Sequence, residues 1–328
     1  MNSFETLSKQ FSEKFAVRHF PEEPATLYDP NEYFLKLGGK RIRPVLCLMG
    51  NELFDEIQPA TWHVATAIEL FHNFTLIHDD IMDAAPLRRG TETVHTKFGE
   101  NTALLAGDVM LVMAYDYLNR IRSSHLHKII HIFNKMAREV CEGQQLDMDF
   151  AKRGYGEEKQ KGVGMNEYIH MIEMKTSVLL ASSLKMGAIL GGAGERNQNL
   201  LYEFGRKLGI AFQIQDDALD AFGDPLKFGK QTGGDILANK KTFLLIHAFE
   251  LATPAQKTAL EKLMKENSQD KVEKVLKIFR DCGVDAWALQ LKNKYLDEAL
   301  MHLEDIAVVE KRKEPLSELA RFLVQRDY

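Results

Sequence analysis

The stretch Leu76-Ile77-His78-Asp79-Asp80-Ile81-Met82-Asp83 closes a long apolar run and places three carboxylates within five residues. At 3.6 residues per turn, Asp79 and Asp83 fall one turn apart on one face, with Asp80 beside them. Like charges at that spacing destabilise a helix unless a cation sits between them. The chain repeats the arrangement at Ile214-Gln215-Asp216-Asp217-Ala218-Leu219-Asp220, again inside an apolar run. Either string alone reads as a solvated helix end, but two such strings are not a chance expectation in 328 residues. Clustered hard oxygen donors suit Mg²⁺, which keeps several waters and is held by a few carboxylates plus phosphate oxygens of a ligand. The expectation is a pair of facing acidic helices that hold Mg²⁺ against a phosphorylated ligand. A calcium store would instead need a Gly-kinked, oxygen-rich loop, which neither string has.

Working outward, almost every long segment repeats at helical period, and no convincing alternating strand is found. Thr61–Met82 is apolar nearly all round, the mark of a buried central helix. Asn2–His19 reads as an amphipathic helix closed by Pro21 and Pro24, and Asn31–Leu37 as a short one stopped by Gly38-Gly39. Pro44–Phe54 carries its proline just inside the start. Further helices are expected over Thr102–Ile121, His125–Glu142, Asn166–Leu190, Gln198–Ala221 and from after Asp235 to the end, with amphipathic character from Pro254 onward. Ala85–Glu92 reads as a basic loop, Lys152–Gly164 as a charged surface loop, and Gly223–Asp235 as a candidate lid. The fold class expected is all-α, a single domain over residues 1–328, built as a helical bundle around a core-facing site.

Composition narrows the function classes. The residues are 45% hydrophobic and the formal charge is −5, which argues against a nucleic-acid groove. Cys47, Cys141 and Cys282 form no CxxC pair, no disulfide framework and no zinc site, and read as buried thiols in a reducing compartment. Met1–Phe20 is polar and carries acids, unlike a signal peptide, and the apolar stretch Ser177–Gly194 is interrupted by Lys185. A cytoplasmic protein with no transmembrane segment is expected.

Two acidic clusters need basic partners if the ligand is a phosphate. The glycine turn Gly38-Gly39 precedes Lys40, Arg41 and Arg43, and Arg88-Arg89 follows the first cluster directly. Lys175-Thr176 interrupts an apolar helix, where an unpaired ammonium is costly, and Lys230 and Lys240 flank the loop after the second cluster. Each alone reads more simply as a surface charge, and His72 as a core histidine. The set is what points to a phosphorylated ligand.

With these residues in view, the chain resembles the trans-prenyl diphosphate synthases. The resemblance runs from about Asn31 to the C-terminus and rests on GGKRIRP (38–44), ELFHNFTLIHDDIMD (69–83), RRG (88–90), GQQLD (143–147), KT (175–176), FQIQDDALD (212–220) and GDPLKFGK (223–230). It implies an all-α bundle around a deep central cavity, a homodimer, and three Mg²⁺ ions held by Asp79, Asp80, Asp83, Asp216, Asp217 and Asp220. It implies that Arg88, Lys175, Gln213, Lys230 and Lys240 bind the allylic diphosphate, and that Lys40, Arg43, His72 and Arg89 bind isopentenyl diphosphate. Gln144 and Asp147 match positions behind the metals, and Thr176 and Gln213 match polar groups near the reacting carbon. Lys175, Thr176, Gln213 and Lys230 are the catalytic expectations. Glu92 departs from the family, which often has proline there.

Chain growth in this family runs beneath the first aspartate motif until bulky residues stop it. Phe74 lies five residues before Asp79, with Thr75 after it and Phe71 one turn earlier. An aromatic at the fifth position, none at the fourth, and no insertion in the motif resembles the geranylgeranyl-making pattern. A farnesyl product is the alternative. Rival classes fit less well. A metal phosphohydrolase would use a pair such as His78-Asp79 but needs further histidine ligands, and a terpene cyclase has a mixed second motif. A non-catalytic subunit of a heteromeric synthase would have lost motif residues.

Overall fold

A computed structural model describes residues 1–154, 162–223, 232–266 and 268–325. The elements in order are α1 (Phe4–Phe15), α2 (Ala25–Lys36), α3 (Ile42–Glu52), α4 (Pro59–Met82), β1 (Leu87–Arg88), β2 (Thr91–Glu92), α5 (Val94–Phe98), α6 (Glu100–Asn119), α7 (Leu126–Lys152), α8 (Met165–Ile172), a π-helical turn (Glu173–Ser177), α9 (Val178–Leu190), α10 (Glu195–Phe222), α11 (Gly234–Leu237), α12 (Phe243–Leu251), α13 (Pro254–Lys265), α14 (Lys271–Asp281), α15 (Val284–Glu304) and α16 (Glu310–Val324). The fold is all-α, as expected. Among the described residues the only strands are β1 and β2, an antiparallel pair within the expected basic loop. No described helix is long and apolar enough to cross a membrane.

Local chemistry sets most boundaries. Ser3 caps α1, its Oγ accepting from Thr6 N–H, and Thr253 and Gln256 form a capping box on α13. Pro59 starts α4, half of whose residues are buried. Three helix bounds differ from expectation by more than three residues. α7 runs on to Lys152 and does not end at Glu142. α2 begins at Ala25, not Asn31, because Pro30 sits early in the helix, where its missing N–H costs one bond only. α1 ends at Phe15, not His19: the chain turns so that the His19 ring packs on Phe15, with Nδ1 2.8 Å from the Tyr117 hydroxyl and Nε2 2.9 Å from the Phe15 carbonyl. Burying that ring with both nitrogens satisfied outweighs one more exposed turn.

The chain forms two compact units, each assembled from three segments. The first comprises Met1–Phe133, Ser183–Asn199 and Ala307–Pro315. There α4 packs on α3 and α6, α1 packs on α3, and α2 packs on α6. Its interior includes Val64, Ile68 and Phe71 of α4 with Ala103, Ala106, Met110 and Ala114 of α6. Small residues let backbones close up. A Cβ on Gly187 would overlap the Cys47 carbonyl of α3, and one on Gly50 would overlap the Leu184 carbonyl of α9.

The second unit comprises Asn134–Ser182, Leu200–Ile306 and Leu316–Tyr328. Its core gathers Tyr168 and Met171 of α8, Ile210 and Ile214 of α10, Phe243–Ile246 of α12 and Val275 and Phe279 of α14. α12 packs against α8, α14 and α15, and the Phe243 ring lies 6.0 Å from Tyr168 and 5.7 Å from Trp287.

Replacing Gly187 by alanine forces a methyl group into the Cys47 carbonyl. The expected cost is about 1–3 kcal/mol, read as a lower urea midpoint with an unchanged slope. A midpoint equal to wild type would mean that α3 and α9 are not in backbone contact.

Candidate active site

The first acidic cluster sits at the C-terminal end of α4, where the helix dipole is itself negative. Three more negative charges there require nearby cations. The structure supplies one through the hairpin β1–β2, whose register pairs Leu87 with Glu92 and Arg88 with Thr91. Its two-residue loop, Arg89-Gly90, has φ of 55° and 76°, the hairpin geometry that matches strand twist. The hairpin turns Arg88 back onto the helix. Its Nε lies 2.8 Å from both oxygens of Asp80, and its Nη2 2.8 Å from Asp80 and 3.5 Å from Asp79. Asp80 is only 1% exposed, and burial pushes its carboxyl above the usual range while Arg88 pulls it back. Asp79 keeps partial exposure and Asp83 is exposed, with the Asp83 N–H donating to the Asp79 carbonyl.

The cations expected for a second diphosphate all lie in the first unit. Arg43 Nη1 is 3.0 Å from His72 Nε2. Burial, then the charges of Arg43, Arg89, Arg88 and Arg41, push the imidazole well below its usual range. His72 is therefore neutral and accepts from Arg43 through Nε2. The Arg89 guanidinium donates to the Gly38 carbonyl and lies so close to Gly39 that a Cβ there would come within 2.9 Å of it. Lys40 is exposed on the same turn. Arg41, in the same run, does something else: it opens α3 in a left-handed conformation and forms a buried ion pair with Glu69.

The second unit holds a cavity of about 400 Å³ that brings eight of the expected residues together: Asp147, Lys175, Thr176, Gln213, Asp216, Asp217, Asp220 and Lys240. Close backbone approach builds it. A Cβ on Gly143 of α7 would overlap the Lys175 backbone, and one on Gly209 of α10 would come within 2.6 Å of Ser177 Cα. Four residues on from each glycine, on the same helix face, come Asp147 and Gln213. Lys175 Nζ donates to Asp147 at 2.7 Å, and Thr176 Oγ1 to Gln213 Oε1 at 3.1 Å. Lys175 and Thr176 themselves lie on the π-helical turn, a distortion frequent at functional sites.

Around the second cluster, Asp217 is 6% exposed and both its oxygens are occupied. Oδ1 accepts from Gln213 Nε2 at 2.8 Å and Oδ2 from the Tyr168 hydroxyl. Burial, and after it the charge of Asp235, push this carboxyl up to about 7, against the pull of the Tyr168 and Gln213 bonds and of Lys240. Asp220 is raised by burial and by Asp235, although the Asp235 N–H donates to its Oδ2 at 2.9 Å. Lys240 pairs with Asp235 at 3.2 Å. Lys230, and residues 224–231 of the candidate lid, lie outside the described residues. Gln144 is half-buried on α7.

The sequence reading missed Tyr168, Asp235, Lys241 and Thr242, which also line this cavity. Tyr168 lies seven residues, two turns, before Lys175, and that spacing is the one signal that pointed to it. Lys241 is 9% exposed, and burial lowers its ammonium to about 8.

Among the described residues no group of three or more His, Cys, Asp and Glu side chains converges to hold a metal ion unaided. That fits Mg²⁺, which binds through one or two carboxylates and completes its shell with water and phosphate oxygens. The donors are all carboxylate oxygens, and in each motif the middle aspartate is tied to protein donors while the outer two keep partial exposure.

A carboxyl raised by burial lowers stability as it ionises. For the metal-free protein, Asp217 therefore contributes a fall in melting temperature as pH rises from about 4, the unfolded value, through about 7. Asp217→Asn should flatten that fall in thermal melts with chelator. An unchanged slope would show that Asp217 ionises without cost.

The profile of the family described as Polyprenyl synthetase matches residues 24–281. The geranylgeranyl pyrophosphate synthase of Geoglobus acetivorans is 39% identical over 325 residues, covering 98% of this chain and 97% of that protein. The geranylgeranyl diphosphate synthase of Methanosarcina mazei is 36% identical, covering 93% and 91%. A crystal structure of a geranylgeranyl pyrophosphate synthase superposes with a TM-score of 0.92 at 41% identity, covering 100% of both chains. Carrying both aspartate motifs within such full-length similarity, the chain belongs to the polyprenyl synthetase family, whose members named here are prenyltransferases.

Proposed function

We propose that this prenyltransferase condenses isopentenyl diphosphate head-to-tail with dimethylallyl, geranyl and farnesyl diphosphates, with geranylgeranyl diphosphate as its product. The observation that carries the reaction is the second-unit cavity, which joins carboxylates, ammonium groups and the Thr176–Gln213 pair in one place. Lys175 and Lys240, with Lys230, bind the allylic diphosphate. Lys40, Arg43, His72 and Arg89 bind isopentenyl diphosphate; the neutral imidazole of His72 orients Arg43. Asp147 holds the Lys175 ammonium in place, and Gln144, on the same helix, is assigned a place behind the metals.

Heterolysis of the allylic carbon–oxygen bond leaves the electron pair on the departing diphosphate and an allylic cation behind. Of the six aspartates, Asp79 and Asp83 in the first unit and Asp216 and Asp220 in the second keep the exposure with which they would hold Mg²⁺, which would supply charge neutralisation for diphosphate oxygens. The lysines stabilise the same developing charge from fixed positions, while Thr176 and Gln213 present polar atoms to the cation. The double bond of isopentenyl diphosphate attacks the cation, a carbon–carbon bond forms, and the proton lost from the adjacent carbon passes to the released diphosphate.

Product length is assigned to α4. Phe74 is 9% exposed and stacks at a tilt on Phe71, ring centroids 5.6 Å apart. Phe71 is 1% exposed and packs edge-on to Phe133 at 5.4 Å, so it belongs to the core and Phe74 forms the floor, with Thr75 beside it. Purified protein given Mg²⁺, isopentenyl diphosphate and each allylic starter should yield a twenty-carbon alcohol after dephosphorylation, and Phe74→Ala a longer one. A fifteen-carbon product would move the floor upward. No elongation from any starter would overturn the catalytic reading in favour of a non-catalytic subunit.

We further assign the protein to a homodimer that works in the cytoplasm as one synthase domain. Leu104, Leu105 and Val112 of α6 are each about half exposed or more, and Leu105 and Val112 are two turns apart on one face. Cys47 is buried as expected, whereas Cys141 is exposed and Cys282 half-buried; unpaired, the three suit a reducing compartment. Replacing Leu105 and Val112 by glutamate should halve the mass measured by light scattering without lowering helicity. A wild-type protein already monomeric at micromolar concentration would remove this assignment.

A further inference from the structure

Tyr168 has no role in the reading above, yet it sits at one end of a hydrogen-bonded chain that reaches Thr176. The residue is 3% exposed on α8, its ring against Phe243 and its hydroxyl donating to Asp217 Oδ2. Gln213 Nε2 donates to the other oxygen at 2.8 Å, and Gln213 Oε1 accepts from Thr176 Oγ1 at 3.1 Å. The polarity of this chain is not arbitrary. Gln213 turns its amide nitrogen to Asp217 Oδ1 and its carbonyl to Thr176, and the Tyr168 hydroxyl donates to the other Asp217 oxygen, so each donor in the chain has its acceptor. The hydroxyl hydrogen of Thr176 is then committed to Gln213, and the oxygen lone pairs are left to the cavity that Thr176 lines.

We propose that Tyr168 is a positioning residue for the condensation: by sharing Asp217 with Gln213 it fixes the orientation of the Gln213 amide, and so keeps the Thr176 oxygen lone pairs turned toward the allylic cation. This rests on the condensation reading. A preoriented lone-pair dipole stabilises positive charge that develops only on the way to the transition state. Without the phenol hydroxyl, Asp217 is free to turn about its terminal torsion and the Gln213 amide loses its fixed acceptor. In the flipped amide, Thr176 faces an N–H₂ group, and its own hydrogen turns toward the cavity and the cation. The Tyr168 hydroxyl is committed to Asp217 and the condensation reading gives it no diphosphate to hold, so its removal is expected to act on the chemical step and not on substrate binding.

The test is Tyr168→Phe, which keeps the ring against Phe243, measured beside Thr176→Val and the double variant. Single-turnover condensation with saturating geranyl diphosphate should slow about tenfold to a hundredfold in Tyr168→Phe. Both KM values should stay within about twofold of wild type. In the double variant, Tyr168→Phe should add no further loss to that of Thr176→Val, because both act through one chain. A Tyr168→Phe enzyme as fast as wild type, a loss confined to KM, or fully multiplicative losses in the double variant would each overturn the proposal. A urea midpoint for Tyr168→Phe close to wild type excludes unfolding as the cause; should that variant fail to fold, Gln213→Met tested with Thr176→Val applies the same non-additivity criterion to the middle of the chain. If wild type itself makes no prenyl product, the condensation reading fails and this inference falls with it.

Discussion

Carboxylates held away from water inside apolar helices are the constraint around which this protein is built. Ionised acids resist burial, and each neighbour of the same sign makes the burial worse. In the first unit the response is a hairpin that folds Arg88 over the buried Asp80, setting a forked cation against a carboxylate at the negative end of α4. In the second unit the donors to the buried Asp217 are neutral. Asp217 is stabilised by a phenol hydroxyl and an amide, with Lys240 further off, and its carboxyl stays well above the usual range. The weaker compensation leaves this cluster the costlier of the two without cations. Ligands that bring cations to it therefore stabilise the fold in proportion to their binding.

The second cavity also depends on backbones that almost touch. Gly143 and Gly209 approach the π-helical turn from two helices, and in each helix the next residue on that face is polar and bonded to the turn. Close approach and side-chain contact are thus one feature. A side chain at either glycine would push its helix away and lengthen the hydrogen bonds from Asp147 to Lys175 or from Gln213 to Thr176. The widened turn in α8–α9 serves the same end, since an extra residue in the turn lets consecutive Lys175 and Thr176 both reach the cavity.

Much of this was legible in the sequence, for physical reasons. The all-α fold followed from sustained helical periodicity, and the two acidic clusters from charge density that no isolated helix would tolerate. Helix ends were less legible where a tertiary contact decided them: α1 stops because His19 finds Tyr117, a residue about a hundred positions away. Tyr168 was hard to read as a site residue, its spacing from Lys175 apart, because a buried aromatic reads as core, and it is core, apart from its hydroxyl. Arg41 failed the other way. Its setting in GGKRIRP looks like a phosphate fork, but its charge is spent on Glu69, a pairing that only the packing of α3 on α4 reveals.

The two acidic strings share a division of labour that the helix geometry explains. In Asp-Asp-x-x-Asp the first and last residues lie on one face, while the second is turned about 100° around the axis. If the outer pair faces an open site, the second must point toward the side of the helix that packs. That is where Asp80 and Asp217 are found, 1% and 6% exposed, each anchored by donors from another element. The middle aspartate therefore serves as the peg that fixes the rotation of the helix about its axis. Its buried charge has one low-energy arrangement, with its donors, and any rotation that would bury the outer pair instead breaks those bonds. Three acids are needed where two would hold a cation, because the third keeps the other two pointing outward.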